Sequence, residues 1–535
     1  MRFIRPSTLS ALLLLAFVSL QSQAGVSGNN VVIYSVAAIA LLLLFFIIVS
    51  VADNFMVLEL QDKAGDKANM GLYPRLSEIF GKKRPEYLED AKYHKLTKGH
   101  DIPLEGEPSD LIDESVKATR FAIMPPDFFG IRPIPKVVVE VGDTVKAGDV
   151  LFHDKKLDRI KFCAPVSGEI LEVKRGMKRS IDSIIILADK EQQSRIYEAP
   201  SLRSSREELV DFLLGSGVWP AIRQRPYNVV ADPDLIPRDI FVSTFSTAPL
   251  AYNSKLAIAG REEEFQMGIN VLNRLTNGLV YLGLDGREPE PTAYSRVKNA
   301  QLHYFDGPHP AGNVGVQAHH IHPIGNAQDT CWALDVNGVL LLGKLFLAGV
   351  YDTSRVVALT GPVMDNPRHV RTYAGANLSE LYAGTNFENV RAISGDVLSG
   401  HNVGFDGFLG FFDTQTTVIE EGNEAEIFGW LLPLKQRASI SPTIPTFGKV
   451  AATTNSHGER RAFVLNNDYE RVMPMDIYLQ QLAKSIMISD FEAMEGLGIY
   501  ELVEEDVALA EFACVSKQPL QYILRDGLNL MLAQG

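Results

Sequence analysis

An uncharged apolar run near the N-terminus constrains this chain more than any other feature of its sequence. Residues 31–52 contain no Asp, Glu, Lys or Arg. A helix of this length, at about 1.5 Å per residue, matches a hydrocarbon layer about 30 Å thick. A shorter apolar run, Leu9 to Leu20, precedes the small residues of Ser22-Gln23-Ala24, as in signal peptides. We predict a signal peptide or first hydrophobic arm at 1–24 and a transmembrane segment at 25–52.

The positions of the basic residues predict the orientation of that segment. Residues 21–30 contain no Lys or Arg, and six basic residues follow the second run: Lys63, Lys67, Arg75, Lys82, Lys83 and Arg84. Because positive residues favour the cytoplasmic side, everything after residue 53 is expected there. The three cysteines, Cys163, Cys331 and Cys514, are far apart, which fits a reducing compartment.

Composition limits the possible functions. A chain of 535 residues predicts three or four domains, and its net charge of -14 argues against a nucleic-acid partner. The absence of a CxxC motif excludes cysteine-ligated iron–sulfur clusters and most structural zinc sites.

The body of the chain divides by its patterns into a linker and four further parts. After a charged linker at 53–92, residues 93–200 form short strands with Gly-Asp turns, in two halves that resemble the barrel-sandwich hybrid of lipoyl and biotinyl carrier domains. The candidate carrier lysines, Lys155 and Lys156, stand at the wrong distance from both halves, so an unmodified domain is expected.

Alternating strands and helices at 201–354 predict a doubly wound, Rossmann-like α/β domain. The apolar stretch 336–342 is interpreted as a buried strand, so the P-loop-like spacing of Gly338, Gly343 and Lys344 is accidental. Glycine-bounded strands at 355–450 predict a small β-rich domain. Residues 451–535 are predicted to be helical, with Asp476 capping a helix at 477–488.

Four histidines cluster in sequence: His309, His319, His320 and His322. On a strand, His320 and His322 would share one face and could hold a metal. No carboxylate or thiolate lies within the cluster, so we expect hydrogen-bonded or solvated histidines and predict no metal ligand. No nucleophile–base pair or paired-carboxylate site stands out either, so no catalytic residue is predicted.

A series of short motifs runs through most of the chain in a fixed order. They are Gly130-Ile-Arg-Pro133, Val141-Gly-Asp-x-Val-Lys146, Asp154-Lys-Lys156, Pro165-Val-Ser-Gly168, Arg175-Gly-x-Lys-Arg179, Arg223-x-Arg-Pro-Tyr227, Phe305-Asp-Gly-Pro-His-Pro-Ala-Gly312, Val357-Ala-Leu-Thr-Gly-Pro-Val363, Ile393-Ser-Gly-Asp-Val-Leu-Ser-Gly400, Phe428-Gly-Trp430, Tyr469-Glu-Arg-Val-Met-Pro-Met-Asp476 and Glu504-Glu-Asp-Val-Ala-Leu509. In this series the chain resembles the NqrA family, which supplies one subunit of the Na⁺-translocating NADH:quinone oxidoreductase. Members of that family begin near what is here residue 93, so the extension 1–92 is a departure.

The resemblance implies a peripheral, quinone-side subunit on the cytoplasmic side of a bacterial inner membrane. It implies a β-grasp (SLBB-like) fold for the third domain and no covalently bound cofactor. It also implies five partner subunits, chiefly NqrB, the membrane subunit at the quinone site; these partners carry FMN, FAD, riboflavin and iron–sulfur centres. The complex oxidises NADH, reduces quinone and exports Na⁺. Whether the quinone is ubiquinone or menaquinone stays open.

Two loops combine aromatic residues with arginines and are candidates for quinone contact. The candidate residues are Phe128, Phe129 and Arg132 in the first loop and Trp219, Arg223 and Arg225 in the second. Aromatic faces can stack on a quinone ring, and arginine can donate hydrogen bonds to its carbonyl oxygens. The same residues could instead dock against a partner protein. A scaffold subunit that makes no quinone contact is therefore the alternative function.

Overall fold

The computed structural model describes residues 39–41, 44, 84–130, 134–382, 388–422, 429, 436–440 and 448–534. The chain divides into two compact units, Met1–Lys83 and Arg84–Gly535. The predicted signal peptide, most of the predicted transmembrane segment and most of the linker lie outside the described residues. Among the residues that are described, no helix is long and apolar enough to cross a bilayer.

The second unit contains strands of two to eight residues. In chain order they are β1 (Lys92–Lys95), β2 (Ser109–Asp113), β3 (Arg120–Ile123), β4 (Lys136–Val137), β5 (Thr144–Val145), β6 (Val150–His153), β7 (Lys161–Cys163), β8 (Gly168–Arg175), β9 (Ile181–Ala188), β10 (Arg223–Arg225), β11 (Val229–Val230), β12 (Asp239–Ser243), β13 (Val280–Asp285), β14 (Gln301–Asp306), β15 (Cys331–Leu334), β16 (Ser354–Thr360), β17 (Arg368–Tyr373), β18 (Val390–Ser394), β19 (His401–Asn402) and β20 (Gln415–Glu420).

The α-helices of the same unit are found mainly in its second half. They are α1 (Arg206–Ser216), α2 (Ser254–Ile258), α3 (Glu262–Leu275), α4 (Val314–Ile321), α5 (Val336–Ala348), α6 (Leu378–Leu381), α7 (Asp468–Val472), α8 (Leu479–Met487), α9 (Phe491–Gly496), α10 (Glu504–Ala513) and α11 (Leu520–Gln534).

The central sheet has seven strands in the order β1-β14-β13-β12-β15-β10-β11. The first five are parallel, and the β10–β11 hairpin adds to the edge at β15 in the antiparallel sense. A separate hydrophobic core lies on each face of this sheet, and alternate residues of β12 point into one or the other. Ile240 and Val242 face α3 and α5, whereas Phe241 faces α4 and the C-terminal helices. Helices on both faces of a mostly parallel sheet confirm the predicted Rossmann-like domain.

Helix α5 corrects the prediction of a strand at 336–342. Asp335 caps it by accepting a hydrogen bond from the Gly338 N–H at 2.7 Å, and Gly349 ends it in the left-handed conformation. The helix is apolar on nearly every side because it packs against the sheet at β15 and also against α2 and α3. A short, uninterrupted apolar run does not distinguish such a helix from a buried strand. The two glycines and the lysine of the P-loop-like spacing therefore lie on a helix, without a phosphate-binding loop.

Two smaller sheets form the predicted barrel-sandwich hybrid, with the orders β3-β9-β8-β5 and β4-β6-β7. Phe152 and Phe162 stack between them, with ring centroids 4.5 Å apart. The third domain is a six-stranded mixed sheet in the order β19-β18-β20-β16-β17-β2. Strands β1 and β2 fall within the predicted 93–200 range or at its edge, yet they pair with the sheets of the other two domains.

The C-terminal helices α7 to α11 pack against the face of the central sheet that carries Phe241 and Phe305. Helix α8 begins later than expected: its N-cap is Tyr478, which makes no side-chain cap, so the predicted capping role of Asp476 is wrong. The Asp476 N–H instead donates to His319 Nε2 at 3.2 Å.

We predict that Gly343→Ala lowers the midpoint of thermal unfolding by several degrees. A Cβ at Gly343 would lie 1.7 Å from the Glu264 carbonyl oxygen on α3, so the two helices would have to separate. Gly215→Ala is the matched control, since a Cβ in this helical position meets nothing within 4 Å. It should be neutral or stabilising by up to about 1 kcal/mol. Equal effects of the two substitutions would contradict this account of the helix contact.

Candidate functional site

The first candidate loop begins with Phe128, which is a core residue. Its side chain is 2% exposed and packs against Phe162, Phe411 and Phe412, with ring centroids 4.8, 4.9 and 5.7 Å away. Phe128 therefore joins the barrel-sandwich hybrid to the third domain. A fully surrounded ring has no face left for a ligand.

Phe129, the next residue, points the other way and is 38% exposed. Its carbonyl oxygen accepts a hydrogen bond from the Val230 N–H at 3.1 Å. Gly130 has φ of +87°, and a Cβ there would lie 2.9 Å from the Val229 Cβ. The first loop is thus held directly against the β10–β11 hairpin, so the structure brings the two predicted loops together.

Arg525 of α11 completes this contact. Its guanidinium carbon lies 4.2 Å from the centroid of the Phe129 ring, and its Nη1 donates to the Tyr227 carbonyl oxygen at 2.9 Å. Glu504 holds the same guanidinium through two further hydrogen bonds, one of them 2.7 Å long. We call the set Phe129, Gly130, Tyr227, Val229 and Arg525 the loop–hairpin surface. Nothing in its local sequence marks Arg525 for this role, so the sequence alone does not predict it.

The second candidate loop contains residues with different environments. Trp219 is fully buried, donates from Nε1 to the Ala231 carbonyl at 2.7 Å, and packs edge-on against Trp332. Arg223 is half-buried, with its guanidinium 5.1 Å from the Phe412 ring centroid. In the described part of the chain Arg223 forms no ion pair. Arg132 lies outside the described residues.

Arg225 is buried and structural. It is 2% exposed, and its two terminal nitrogens bind Asp506 at 3.1 Å and Glu505 at 3.0 Å at the start of α10. A Cβ on Gly315 of α4 would lie 2.5 Å from Arg225 Nη1, so this helix approaches the pair closely. Burial raises the pKa of Asp506 to about 6, although the Arg225 charge opposes that shift.

Asp127 is a titratable group next to the loop–hairpin surface. Its Oδ2 accepts a hydrogen bond from the Phe411 N–H at 2.8 Å. Desolvation raises the pKa of Asp127 to about 7, assisted by the nearby Asp413 carboxyl and opposed by the hydrogen bond and by Arg355. Asp127 therefore changes charge near neutral pH.

Each of the four clustered histidines hydrogen-bonds to a different partner, and their side chains do not converge on one site. His319 and His320 lie on helix α4, which corrects the expectation that His320 and His322 share one face of a strand. Their partners are Glu501 for His319, the Pro474 carbonyl for His320, Asp239 for His322 and Thr247 for His309. Within the described ranges, no group of three or more His, Cys, Asp or Glu residues is placed to hold a metal ion.

Comparisons with known proteins match the three folded domains to one family. The family descriptions are "NqrA N-terminal barrel-sandwich hybrid domain" at residues 94–189, "NqrA second alpha/beta domain" at 204–351 and "NQRA C-terminal domain" at 356–404. The last of these matches the predicted SLBB-like domain.

Full-length relatives give the same result. The chain is 39% identical over 454 residues to NqrA of the Na⁺-translocating NADH-quinone reductase from Vibrio atlanticus, covering 82% of this chain and 99% of that protein. It is 39% identical over 452 residues to the corresponding protein of Yersinia pestis, covering 82% and 100%. Among solved structures, an air-oxidised NAD⁺-reducing [NiFe]-hydrogenase is similar with a TM-score of 0.33 and 11% identity, covering 63% of this chain and 62% of that one. That similarity is too low to support an assignment.

We predict that Arg225→Ala lowers the free energy of unfolding by about 3–5 kcal/mol, because it leaves the Asp506 carboxyl buried without its cation. Urea denaturation measures the change. Arg159→Ala is the control: Arg159 pairs with Asp211 and Asp234 at the surface, where loss of a pair costs about 1 kcal/mol or less. A similar cost for both variants would show that the Arg225 pair has no special structural role.

We predict that Asp127→Asn flattens the pH dependence of stability. Folding raises the Asp127 pKa from 3.8 to about 7, so the folded state keeps a proton that the unfolded state has lost between these values. The contribution of Asp127 to stability is therefore present at low pH and is lost as pH rises through about 7. Thermal unfolding of both proteins from about pH 4 to pH 8 tests this. Parallel curves would contradict the prediction, because they would mean that folding does not shift the pKa of this carboxyl.

Proposed function

The chain belongs to the NqrA family of the Na⁺-translocating NADH-quinone reductase, and from this membership we propose that its loop–hairpin surface contacts the quinone. The complex of which it is a subunit is an oxidoreductase and a translocase. Within that complex, this chain contacts quinone during its reduction to quinol, which is coupled to Na⁺ export.

The single observation that supports this proposal is the Arg525 guanidinium stacked on the partly exposed ring of Phe129. Since the cation covers one face of the ring, a flat conjugated ligand would stack on the exposed part. Glu504 and the Tyr227 carbonyl fix the guanidinium, so the ring is held in a defined position before any ligand arrives. Arg223, without an ion pair in the described chain, is a second donor on the adjoining hairpin.

Further parts of the proposal follow from family membership. The protein docks on NqrB, the membrane subunit at the quinone site, on the cytoplasmic side of a bacterial inner membrane, and binds no flavin or iron–sulfur centre itself. Partner subunits bind the FMN, FAD, riboflavin and iron–sulfur groups. The N-terminal segment 25–52 adds a tether to the bilayer. The domain boundaries at 93–200, 201–354, 355–450 and 451–535 remain predictions.

The alternative is a scaffold subunit that makes no contact with quinone. Three of the six candidate residues favour the scaffold. Phe128 and Trp219 are buried in internal packing and Arg225 is buried in an ion pair, so these side chains are not available to a ligand. The two functions differ in what happens when the loop–hairpin surface is changed in an intact complex.

We predict that Phe129→Ala raises the KM for quinone about threefold to tenfold with little change in the KM for NADH, since loss of one aromatic stacking contact costs about 1 kcal/mol. Steady-state NADH:quinone kinetics of the purified complex measure both constants. Phe405→Ala is the matched control: Phe405 is 39% exposed but lies in the third domain. All six subunits must co-purify in both variants. An unchanged KM for quinone in an intact Phe129→Ala complex would favour the scaffold.

A further inference from the structure

Strands β8 and β9 form a ribbon that continues past their neighbours. Strand β5 pairs only with Gly168 and Glu169 of β8, and β3 pairs only with residues 184–187 of β9. Beyond those positions Lys174 pairs with Ser183, and Arg175 pairs with Ile181. The end of the ribbon is therefore a two-stranded hairpin at one edge of the barrel-sandwich hybrid.

The turn that closes this ribbon is well defined. The Gly176 N–H donates to the Ser180 carbonyl at 3.0 Å, and the Ser180 N–H donates to the Met177 carbonyl at 3.1 Å. Lys178 and Arg179 both have left-handed backbone conformations, with φ of +53° and +65°. These conformations are unfavourable for residues other than glycine, so the turn holds two long basic side chains at a backbone cost.

Five exposed side chains make up what we call the hairpin tip: Lys174, Arg175, Met177, Lys178 and Arg179. Met177 is 89% exposed, more than any other large apolar side chain in the described residues. The four cations form no ion pair in the described part of the chain. The carboxylates that flank the tip in sequence are Glu172 and Asp182, and Asp182 accepts a hydrogen bond from the Ser180 hydroxyl at 3.3 Å.

A positive tip is unexpected on a chain whose net charge is -14. At physiological ionic strength charges are screened over about 8 Å, so an approaching surface senses the local cations before the acidic body. An anionic surface would thus be attracted by the tip and repelled by most other parts of the protein. This charge distribution favours one orientation of the protein.

We propose that the hairpin tip binds an anionic phospholipid surface, with Met177 entering the headgroup boundary and the four cations contacting lipid phosphates. The combination of clustered Lys and Arg with one exposed apolar side chain fits such an interface. A protein partner fits less well, because a specific interface buries about 800 Å² on each side and five splayed side chains on a narrow turn provide no such area. The proposal does not depend on quinone contact, so the two can fail separately.

The test uses the whole complex reconstituted into phosphatidylcholine vesicles, with or without phosphatidylglycerol. Met177→Cys provides an attachment point for a red-emitting dye, the three native cysteines of this chain are buried, and the labelled wild-type complex gives the background from cysteines of other subunits. Lys155→Cys, at an exposed position of the same domain, is the control. Lipids with a nitroxide in the headgroup region quench a dye that lies at the membrane surface. The control also removes any contribution from the N-terminal tether.

We expect quenching at Met177→Cys to exceed that at Lys155→Cys several-fold when phosphatidylglycerol is present. The excess should fall when salt is raised, and it should be lost when Lys178→Gln and Arg179→Gln are added. Equal quenching at the two positions would overturn the proposal. A tip dye that is shielded from aqueous iodide but indifferent to lipid charge would also overturn it, because the tip would then be bound to a partner protein. NADH:quinone activity of each labelled complex verifies folding.

Discussion

The buried ion pair between Arg225 and Asp506 is the interaction on which the arrangement of the candidate site depends. Arg225 lies on the β10–β11 hairpin, and Asp506 lies in the first turn of α10, where it also accepts the Val503 N–H at 3.1 Å. The pair fixes the C-terminal helices to the edge of the central sheet. Helix α11, which carries Arg525, is positioned through its packing against α10. The pair thus helps to set the position from which Arg525 reaches Glu504, the Tyr227 carbonyl and the Phe129 ring.

The order in which the chain enters its sheets adds a second constraint. Strand β1 joins the central sheet beside β14, and β2 then joins the third domain beside β17 before the barrel-sandwich hybrid begins at β3. The segment before residue 120 therefore connects all three domains. Phe128 packs against Phe411 and Phe412 and so adds another contact between the barrel-sandwich hybrid and the third domain. The loop–hairpin surface is built on this junction, which explains how an exposed loop can hold a ring in a fixed position.

Periodicity and turn residues are sufficient to predict the kinds of domain but not their connections. The strand–helix alternation after residue 239 predicts the doubly wound sheet, and the Gly-Asp turns predict the barrel-sandwich hybrid. Strands β1 and β2, with the sequences KYHK and SDLID, have little apolar alternation and take their conformation from their partners. The apolar run at 336–342 is mistaken for a strand because burial on all sides hides the helical period. Aromatic and arginine residues are the types expected to contact a quinone, but the interior of a protein contains the same types. Only the structure separates the buried Phe128, Trp219 and Arg225 from the exposed Phe129.

The most direct test of the central claim is photolabelling of the intact complex with a photoreactive quinone, followed by mapping of the labelled peptides by mass spectrometry. The account predicts label on the peptide that contains Phe129 or on the one that contains Arg525, and it predicts loss of that label when unmodified quinone is added in excess. Label confined to other subunits, in a complex that still reduces quinone, would contradict it and leave this chain with a scaffold role.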